Sequence, residues 1–288
     1  MAETSGARSR LLTAALVGPA AAFFALLLVL PLVVVFIYSF GERAPAGGYA
    51  PGFTLANYRN LPARSTAFLN TLTLAPIGTL LCALIAYPLA YFLAVKVTAR
   101  WRVLLLVLVV VPFWTSQLLR IYAWLLILGN KGLPRFFAIL GVEDLRIVNT
   151  PAAVLIGMVY GYLPLMVLPI YVSLEKLDVR LLEASADLGA NSWRTFMQVT
   201  LPLSLPGVAT GSMLVFILLM GEFIIPALLG GGKVFFIGNA LVDLFLQSRN
   251  WPFGAAVSVA MVAIMLATVV VYMRFVLGRS GGRRVALV

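Results

Sequence analysis

The sequence contains no histidine and only one cysteine, Cys82. The absence of histidine excludes catalysis by a histidine base and any metal site with a histidine ligand. A single cysteine cannot form a disulfide within the chain or a cysteine-rich zinc site. Charged residues are also scarce, at 11% of the chain, whereas an ordinary soluble domain has about 25%. These absences exclude both a disulfide-stabilised domain and an ordinary soluble one.

The sequence is rich in hydrophobic residues, which make up 62% of the 288 residues, and the mean hydropathy is +1.04. The apolar runs are about 20 residues long or longer, which is enough to cross a bilayer as a helix. They do not alternate with polar residues as the strands of a membrane barrel do. The pattern therefore predicts an all-α integral membrane protein with six transmembrane helices.

The six apolar runs divide the chain into spans, loops and tails. The first run is roughly twice as long as the apolar part of a signal peptide, about 7–15 residues, so we expect a retained span. The boundaries predict spans at about 11–40, 67–95, 103–128, 152–174, 204–229 and 253–277, tails at 1–10 and 278–288, a Pro/Gly-rich loop at 41–66, and a polar loop at 175–203.

The net charge of +11 is open to two interpretations, nucleic-acid binding or the cytoplasmic bias of Lys and Arg in a multi-span protein. The basic residues favour the second. They are denser on the two tails, the turn at 96–102 and the loop at 175–203 than on the opposite loops. We therefore expect cytoplasmic N- and C-termini, membrane lipid as the surroundings and no nucleic-acid partner.

The polar loop at 175–203 contains an acidic, alanine-rich segment that ends in glycine, 183–189, followed by a Leu-Pro pair. It either lies on the membrane surface as an amphipathic helix or docks into a groove of another protein. Glu183 and Asp187 are four residues apart and so share a helical face, and acids gain nothing from an anionic leaflet. Docking to a protein also explains the small Ala184 and Ser185.

This segment resembles the EAA loop of the permeases of ABC importers. Here the pattern is E-A-S-x-x-x-G, nine further residues and V-x-L-P, where the family has E-A-A-x-x-x-G, nine residues and I-x-L-P. Further stretches look like the permeases of spermidine/putrescine-type importers, and like the first-encoded permease subunit in particular: 53–58, 70–72, 112–115, 119–124, 174–176 and 250–254.

The resemblance implies a type I ABC-importer permease fold in a bacterial inner membrane. It implies three partners: an ABC ATPase dimer, a second permease subunit in a heterodimer, and an extracytoplasmic substrate-binding protein. The permease itself would have no catalytic residues, no metal and no cofactor, because ATP hydrolysis would lie on the ATPase. Contact with that ATPase would fall on Glu183, Ala184, Ser185, Asp187, Gly189, Leu201 and Pro202.

Two charges in the apolar runs, Arg120 and Glu222, are candidates for a translocation path. An arginine at the centre of a bilayer costs about 2.5–3.5 kcal/mol on insertion scales. Arg120 either reaches the outer headgroups beside an aromatic belt, or pairs with Glu222 in an outer gate. Helical rise, about 1.5 Å per residue, puts both charges at similar depth. With Trp114, Tyr122 and Trp124 they make up the predicted path or gate.

Prolines recur inside the predicted spans, where each removes a backbone donor. One interpretation is that neighbouring helices simply accommodate these kinks. The other is that the interrupted helices line a path that opens and closes. The sequence leaves both interpretations open.

The resemblance indicates a small solute, most of all a polyamine such as spermidine or putrescine. Carboxylate and aromatic side chains suit such a cation. The predicted outer loops, however, carry more basic than acidic residues, so an opine-like compound or an aminophosphonate remains an alternative. A stand-alone secondary transporter or channel would be expected to show an internal repeat, and none is visible. A membrane enzyme lacks an assembled catalytic set, and the glycines before Lys233 do not form a phosphate-binding loop.

Overall fold

The structure is a computed structural model that describes residues 16–141 and 145–281. Several predicted features lie outside these residues: the tail at 1–10, the beginning of the first span, residues 142–144 of an outer loop, and residues 282–288 of the C-terminal tail. Within the described residues the regular structure is helical except for one two-stranded sheet, so the all-α prediction is confirmed.

Thirteen helices and two short strands follow one another along the described chain. They are α1 (Leu16–Tyr38), β1 (Glu42–Arg43), β2 (Tyr49–Ala50), α2 (Ala56–Arg59), α3 (Ser65–Tyr91), α4 (Ala99–Trp114), α5 (Gln117–Leu128), α6 (Leu133–Ile139), α7 (Pro151–Glu175), α8 (Val179–Asp187), α9 (Ser192–Thr195), α10 (Leu201–Met220), α11 (Ile224–Leu229), α12 (Ile237–Val242) and α13 (Trp251–Gly281). Short 3-10 or π-helical turns lie at Ala25–Val29, Leu61–Arg64, Phe92–Lys96, Phe196–Thr200 and Asp243–Gln247.

Five helical segments are long and apolar enough to cross a membrane: Leu16–Tyr38, Leu61–Lys96, Pro151–Glu175, Ser192–Met220 and Trp251–Arg274. A sixth crossing is a bent pair, Ala99–Trp114 with Gln117–Ile139. The described residues therefore hold five or six candidate spans, depending on whether that pair counts as one.

The predicted third span, 103–128, is not one continuous helix. Its two halves meet at an angle of 91° on either side of Thr115 and Ser116, whose backbone is extended with ψ of 156° and 129°. Thr115 Oγ1 donates to the carbonyl of Pro112 at 2.7 Å. A hydroxyl that bonds a nearby carbonyl offers the backbone an alternative to the helix, and this contributes to the break.

The predicted fifth span, 204–229, also differs from the structure. The helix begins earlier, through α9 and the π-helical turn, and α10 ends at Met220. Residues 221–223 interrupt it before the short α11. Likewise, the predicted polar loop at 175–203 is largely helical, because it contains α8, α9 and the first residues of α10.

One compact unit comprises the described residues up to Ala63 together with Leu241–Ala263. Its predicted loop folds into a hairpin in which β1 and β2 pair antiparallel. The Tyr38 ring, at the end of α1, stacks on Tyr49 with centroids 4.1 Å apart. Arg43 Nη2 donates to the Ser248 carbonyl at 2.7 Å, and the Gly48 N–H donates to the Arg249 carbonyl at 2.6 Å. These two hydrogen bonds connect the hairpin to residues 248–249 of the same unit.

The second unit comprises 64–240 and the described residues from Ile264 onward, and its core is formed by α7 packed against both α3 and α10. Glycines allow these helices to approach closely. A Cβ at Gly207 would lie 2.5 Å from the Pro169 carbonyl, and one at Gly211 would lie 2.9 Å from Met166 Sδ. The two glycines are four residues apart on α10, a spacing typical of close helix packing in membranes.

Candidate functional site

The polar segment predicted to dock to another protein is a structured helical turn. The Asp178 side chain accepts the Arg180 N–H at 3.0 Å and so caps the beginning of α8. At the other end, the Gly189 N–H donates to Ala186 O at 2.9 Å and the Ala190 N–H donates to Ser185 O at 3.1 Å. Gly189 has φ +79°, the left-handed conformation of a Schellman cap, which explains why a glycine ends the helix.

A second short helix, α9, follows the cap and folds back on α8. The Asn191 side chain accepts the Arg194 N–H at 2.8 Å and caps this helix. Ser185 Oγ and Thr195 Oγ1 lie 2.9 Å apart and join the two helices directly. Ser185 therefore stabilises the turn from within. We call the segment from Val179 to Thr200 the helical turn segment.

The predicted docking residues, which lie in this segment and at the beginning of α10, differ in exposure. Ser185, Leu201 and Pro202 are half-buried, and the two latter residues begin α10, whereas the other four are exposed: Glu183, Ala184, Asp187 and Gly189. Two apolar side chains are exposed beside them, Leu188 at 89% and Trp193 at 67%. The exposed surface of the helical turn segment therefore combines acidic, small and large apolar groups, which suits a protein partner better than water.

A chain of aromatic rings runs from this surface into the helix core. The Trp193 ring stacks on Phe196 with centroids 5.8 Å apart, and Phe196 meets Tyr87 and Tyr91 of α3 edge-on at 5.6 and 6.2 Å. The Tyr87 hydroxyl lies 2.8 Å from Ser204 Oγ on α10. The helical turn segment is thereby connected to two helices of the core. The sequence analysis missed Tyr87, Tyr91, Phe196 and Ser204, because only the fold brings them together.

An ion pair joins the end of α7 to the beginning of α4. Arg102 Nη1 lies 3.5 Å from Glu175 Oε1, and Tyr171 donates to the same oxygen at 2.6 Å. Arg102 Nη2 also donates to the carbonyls of Ala94 and Val97. Glu175 lies four residues before Val179, at the end of the helix that leads into the helical turn segment.

The Glu222 carboxylate accepts five hydrogen bonds, and the residue is 5% exposed. Its Oε1 accepts the backbone N–H groups of Phe223, Ile224 and Ile225 at 3.0, 2.8 and 3.2 Å. Its Oε2 accepts the Tyr162 hydroxyl and, at 3.2 Å, Gln117 Nε2. The carboxylate thus satisfies the first amides of α11, which have no acceptor within that helix.

The predicted ion pair between Arg120 and Glu222 is not formed in the described part of the chain. Gln117, one helical turn before Arg120, donates to Glu222 Oε2 instead. The Arg120 guanidinium instead lies over the Phe113 ring, 5.7 Å from its centroid, and Arg120 Nε is buried without a hydrogen-bond partner in the described residues. The prediction of the pair assumed two continuous helices, in which equal depth would bring the residues together. Both spans are interrupted at or before these residues, so equal depth does not imply contact.

The three aromatic residues of the predicted path do not share one surface environment. Trp114 ends α4 and is 80% exposed, and Tyr122 on α5 is 53% exposed. Trp124 packs edge-on against Tyr160 of α7, with centroids 5.4 Å apart. The structure brings Glu222 to Gln117 and Tyr162 rather than to the predicted aromatic residues.

Residues 19–278 match the family described as the inner membrane component of binding-protein-dependent transport systems. The match covers nearly all of the sequence, including the helical turn segment and the Glu222 network. The chain belongs to this family.

Relatives of known role support the same assignment. This permease is 45% identical over 257 residues to the spermidine/putrescine transport system permease protein PotB of Haemophilus influenzae, with 88% of each chain covered. It is 37% identical to the inner membrane ABC transporter permease protein YdcU of Escherichia coli, with 76% of each chain covered. A solved bacterial ABC transporter involved in alginate import has the same fold, with a TM-score of 0.77 at 16% identity, covering 96% of this chain and 98% of that one.

These findings establish the general role of the chain. It is a multi-pass inner-membrane permease subunit of a binding-protein-dependent ABC importer, and the importer permease fold expected from the sequence is confirmed. Such subunits are non-catalytic. The permease works in an importer complex with a periplasmic binding protein.

Proposed function

We propose that this permease forms half of the translocation path of an importer for a polyamine such as spermidine or putrescine. The observation that supports a polyamine substrate is the 45% identity, over 88% of both chains, to a permease named for spermidine and putrescine transport. The other half of the path comes from a second permease subunit, and the solute is delivered by the extracytoplasmic binding protein.

The helical turn segment is the contact with the ABC ATPase dimer, and it faces the cytoplasm together with both chain termini. Its caps and the bond between Ser185 and Thr195 make it rigid enough to transmit a push. Glu183 and Asp187 are exposed on one face, beside Leu188 and Trp193. In this role the acids meet basic groups of the ATPase, and the apolar side chains fill its groove.

The path or gate involves Trp114, Arg120, Tyr122, Trp124 and Glu222, and the structure supports different roles for them. Exposed aromatic faces such as Tyr122 can receive a cation passing along the chain's surface. Glu222 is already saturated with hydrogen bonds from five donors, so it is better suited to holding helices than to binding solute.

Uptake of radiolabelled spermidine and putrescine tests the proposal in cells that co-express the permease with its ATPase, partner permease and binding protein. Saturable uptake that requires the ATPase is the expected result. Uptake of an opine-like compound or an aminophosphonate instead, with equal dependence on the ATPase, would overturn the polyamine assignment and leave the permease role intact. Uptake that is indifferent to the ATPase would overturn the coupling role.

A further inference from the structure

The two interrupted spans of the second unit meet at a single carboxylate. One interruption lies at Thr115 and Ser116, and Gln117 is the first residue after it. The other lies at 221–223 and contains Glu222 itself. The bond from Gln117 Nε2 to Glu222 Oε2 therefore connects the first residue beyond one break to the residue inside the other.

A third element completes the connection. Tyr162 is near the middle of α7, and its hydroxyl donates to the same oxygen as Gln117. The short α11 also packs directly on α5 and α7. Glu222 Oε1 holds the first turn of α11 through three backbone amides. One buried side chain thus joins three helices, two of which begin immediately after a break.

We propose that Glu222, Gln117 and Tyr162 form a latch that makes α5 and α11 move as one gate element about the breaks at 115–116 and 221–223. This inference rests on the proposed transport function. Glu222 is then a positioning residue that holds helices, not a contact for the solute. The extended residues Thr115 and Ser116 are a suitable hinge, because they can absorb changes in φ and ψ without breaking helical hydrogen bonds. At the other break the backbone of Phe223, with φ −136° and ψ −26°, also departs from the helical conformation.

The donor pattern makes the latch depend on one carboxylate facing one amide across positions 222 and 117. All five partners of Glu222 are donors. Glu222→Gln puts an amide NH2 where Oε2 was, so the Tyr162 hydroxyl loses its acceptor and the Gln117 amide has to turn its oxygen toward the new donor. Gln117→Glu puts two carboxylates at this site, where like charges repel. The double variant, Glu222→Gln with Gln117→Glu, restores one carboxylate facing one amide.

The reciprocal exchange is the test, with ATP hydrolysis and solute uptake measured on the whole importer. Each single variant is expected to lower maximal uptake by at least about tenfold, with the half-saturating solute concentration unchanged and ATP hydrolysis retained. The double variant is expected to recover most of the uptake. Gln247→Glu, the same change at an exposed position, is the matched control and should behave as wild type.

A second measurement tests the contact without transport. The midpoint of thermal unfolding of the purified complex is compared for wild type, the two single variants and the double variant. Partners in one network give strongly non-additive effects, so the double variant should be more stable than either single variant. Additive losses would overturn the latch.

Other outcomes are equally decisive. A changed half-saturating concentration or solute preference in Glu222→Gln would show contact with solute and would overturn the positioning role. Proportional loss of protein, hydrolysis and uptake would show a role in folding alone and would also overturn it. Wild-type uptake failing in the same cells would instead count against the proposed function, so the two failures are distinguishable.

Discussion

The Phe196 ring meets the Tyr87 ring edge-on, with centroids 5.6 Å apart and planes at 85°. This contact joins the helical turn segment to α3, and the stack of Trp193 on Phe196 extends it to the surface. Because Phe196 also contacts Tyr91, its ring is the centre of the aromatic chain. This ring is therefore the side-chain contact through which the exposed end of the helical turn segment packs on α3.

Phe196→Ala is expected to reduce uptake far more than ATP hydrolysis. The change removes the edge-on contacts to α3, each worth about 0.5–1.5 kcal/mol beyond burial, together with the stack under Trp193, and it leaves the exposed acids Glu183 and Asp187 unchanged. The ratio of solute imported to ATP hydrolysed is the measurement. Phe92→Ala, at a 52% exposed ring outside the aromatic chain, is the control. An unchanged ratio in Phe196→Ala would contradict the proposed transmission.

Gly189 is expected to tolerate asparagine far better than valine. Its φ of +79° costs a residue with a side chain roughly 1–2 kcal/mol, and asparagine adopts this conformation more readily than a β-branched residue. Nothing lies within 4 Å of a Cβ built there, so crowding does not contribute. Binding of the purified ATPase to the permease in detergent should weaken for Gly189→Val and remain near wild type for Gly189→Asn.

Equal weakening by both substitutions would indicate that the ATPase needs the bare glycine surface rather than the turn. The comparison therefore separates backbone conformation from surface contact. The comparison requires equal amounts of permease that is folded, as judged by its elution as a single species.

The apolar runs and the glycine-terminated turn were predictable from the sequence, because both depend on local residue order. The interruptions were not. Pro112 marks a weak point in its span, but the bend occurs at Thr115 and Ser116, where side-chain hydrogen bonding competes with the helix. Glu222 was recognised as a buried charge, yet its partners Tyr162 and Gln117 come from distant helices whose packing no local pattern encodes.

Gly207→Ala is expected to destabilise the permease, whereas Gly161→Ala is not. A Cβ at Gly207 would crowd Ser173 and the Pro169 carbonyl, and overpacking of this kind costs about 1–3 kcal/mol. At Gly161 the nearest atom is Ile225 Cδ1 at 3.8 Å, an ordinary contact. Thermal unfolding of the purified protein measures the difference. Similar midpoints for both variants would show that α7 and α10 can separate at little cost.

The charge exchange Arg120→Glu with Glu222→Arg is expected not to restore uptake lost in the single variants. Glu222 accepts hydrogen bonds from five donors and none comes from Arg120, so an arginine at 222 would face donors only and leave the first amides of α11 uncapped. Arg120→Lys, which keeps the positive charge, should retain uptake if the charge over the Phe113 ring is what matters there. Recovery of uptake in the exchanged double variant, at wild-type protein levels, would show instead that the two residues pair during transport.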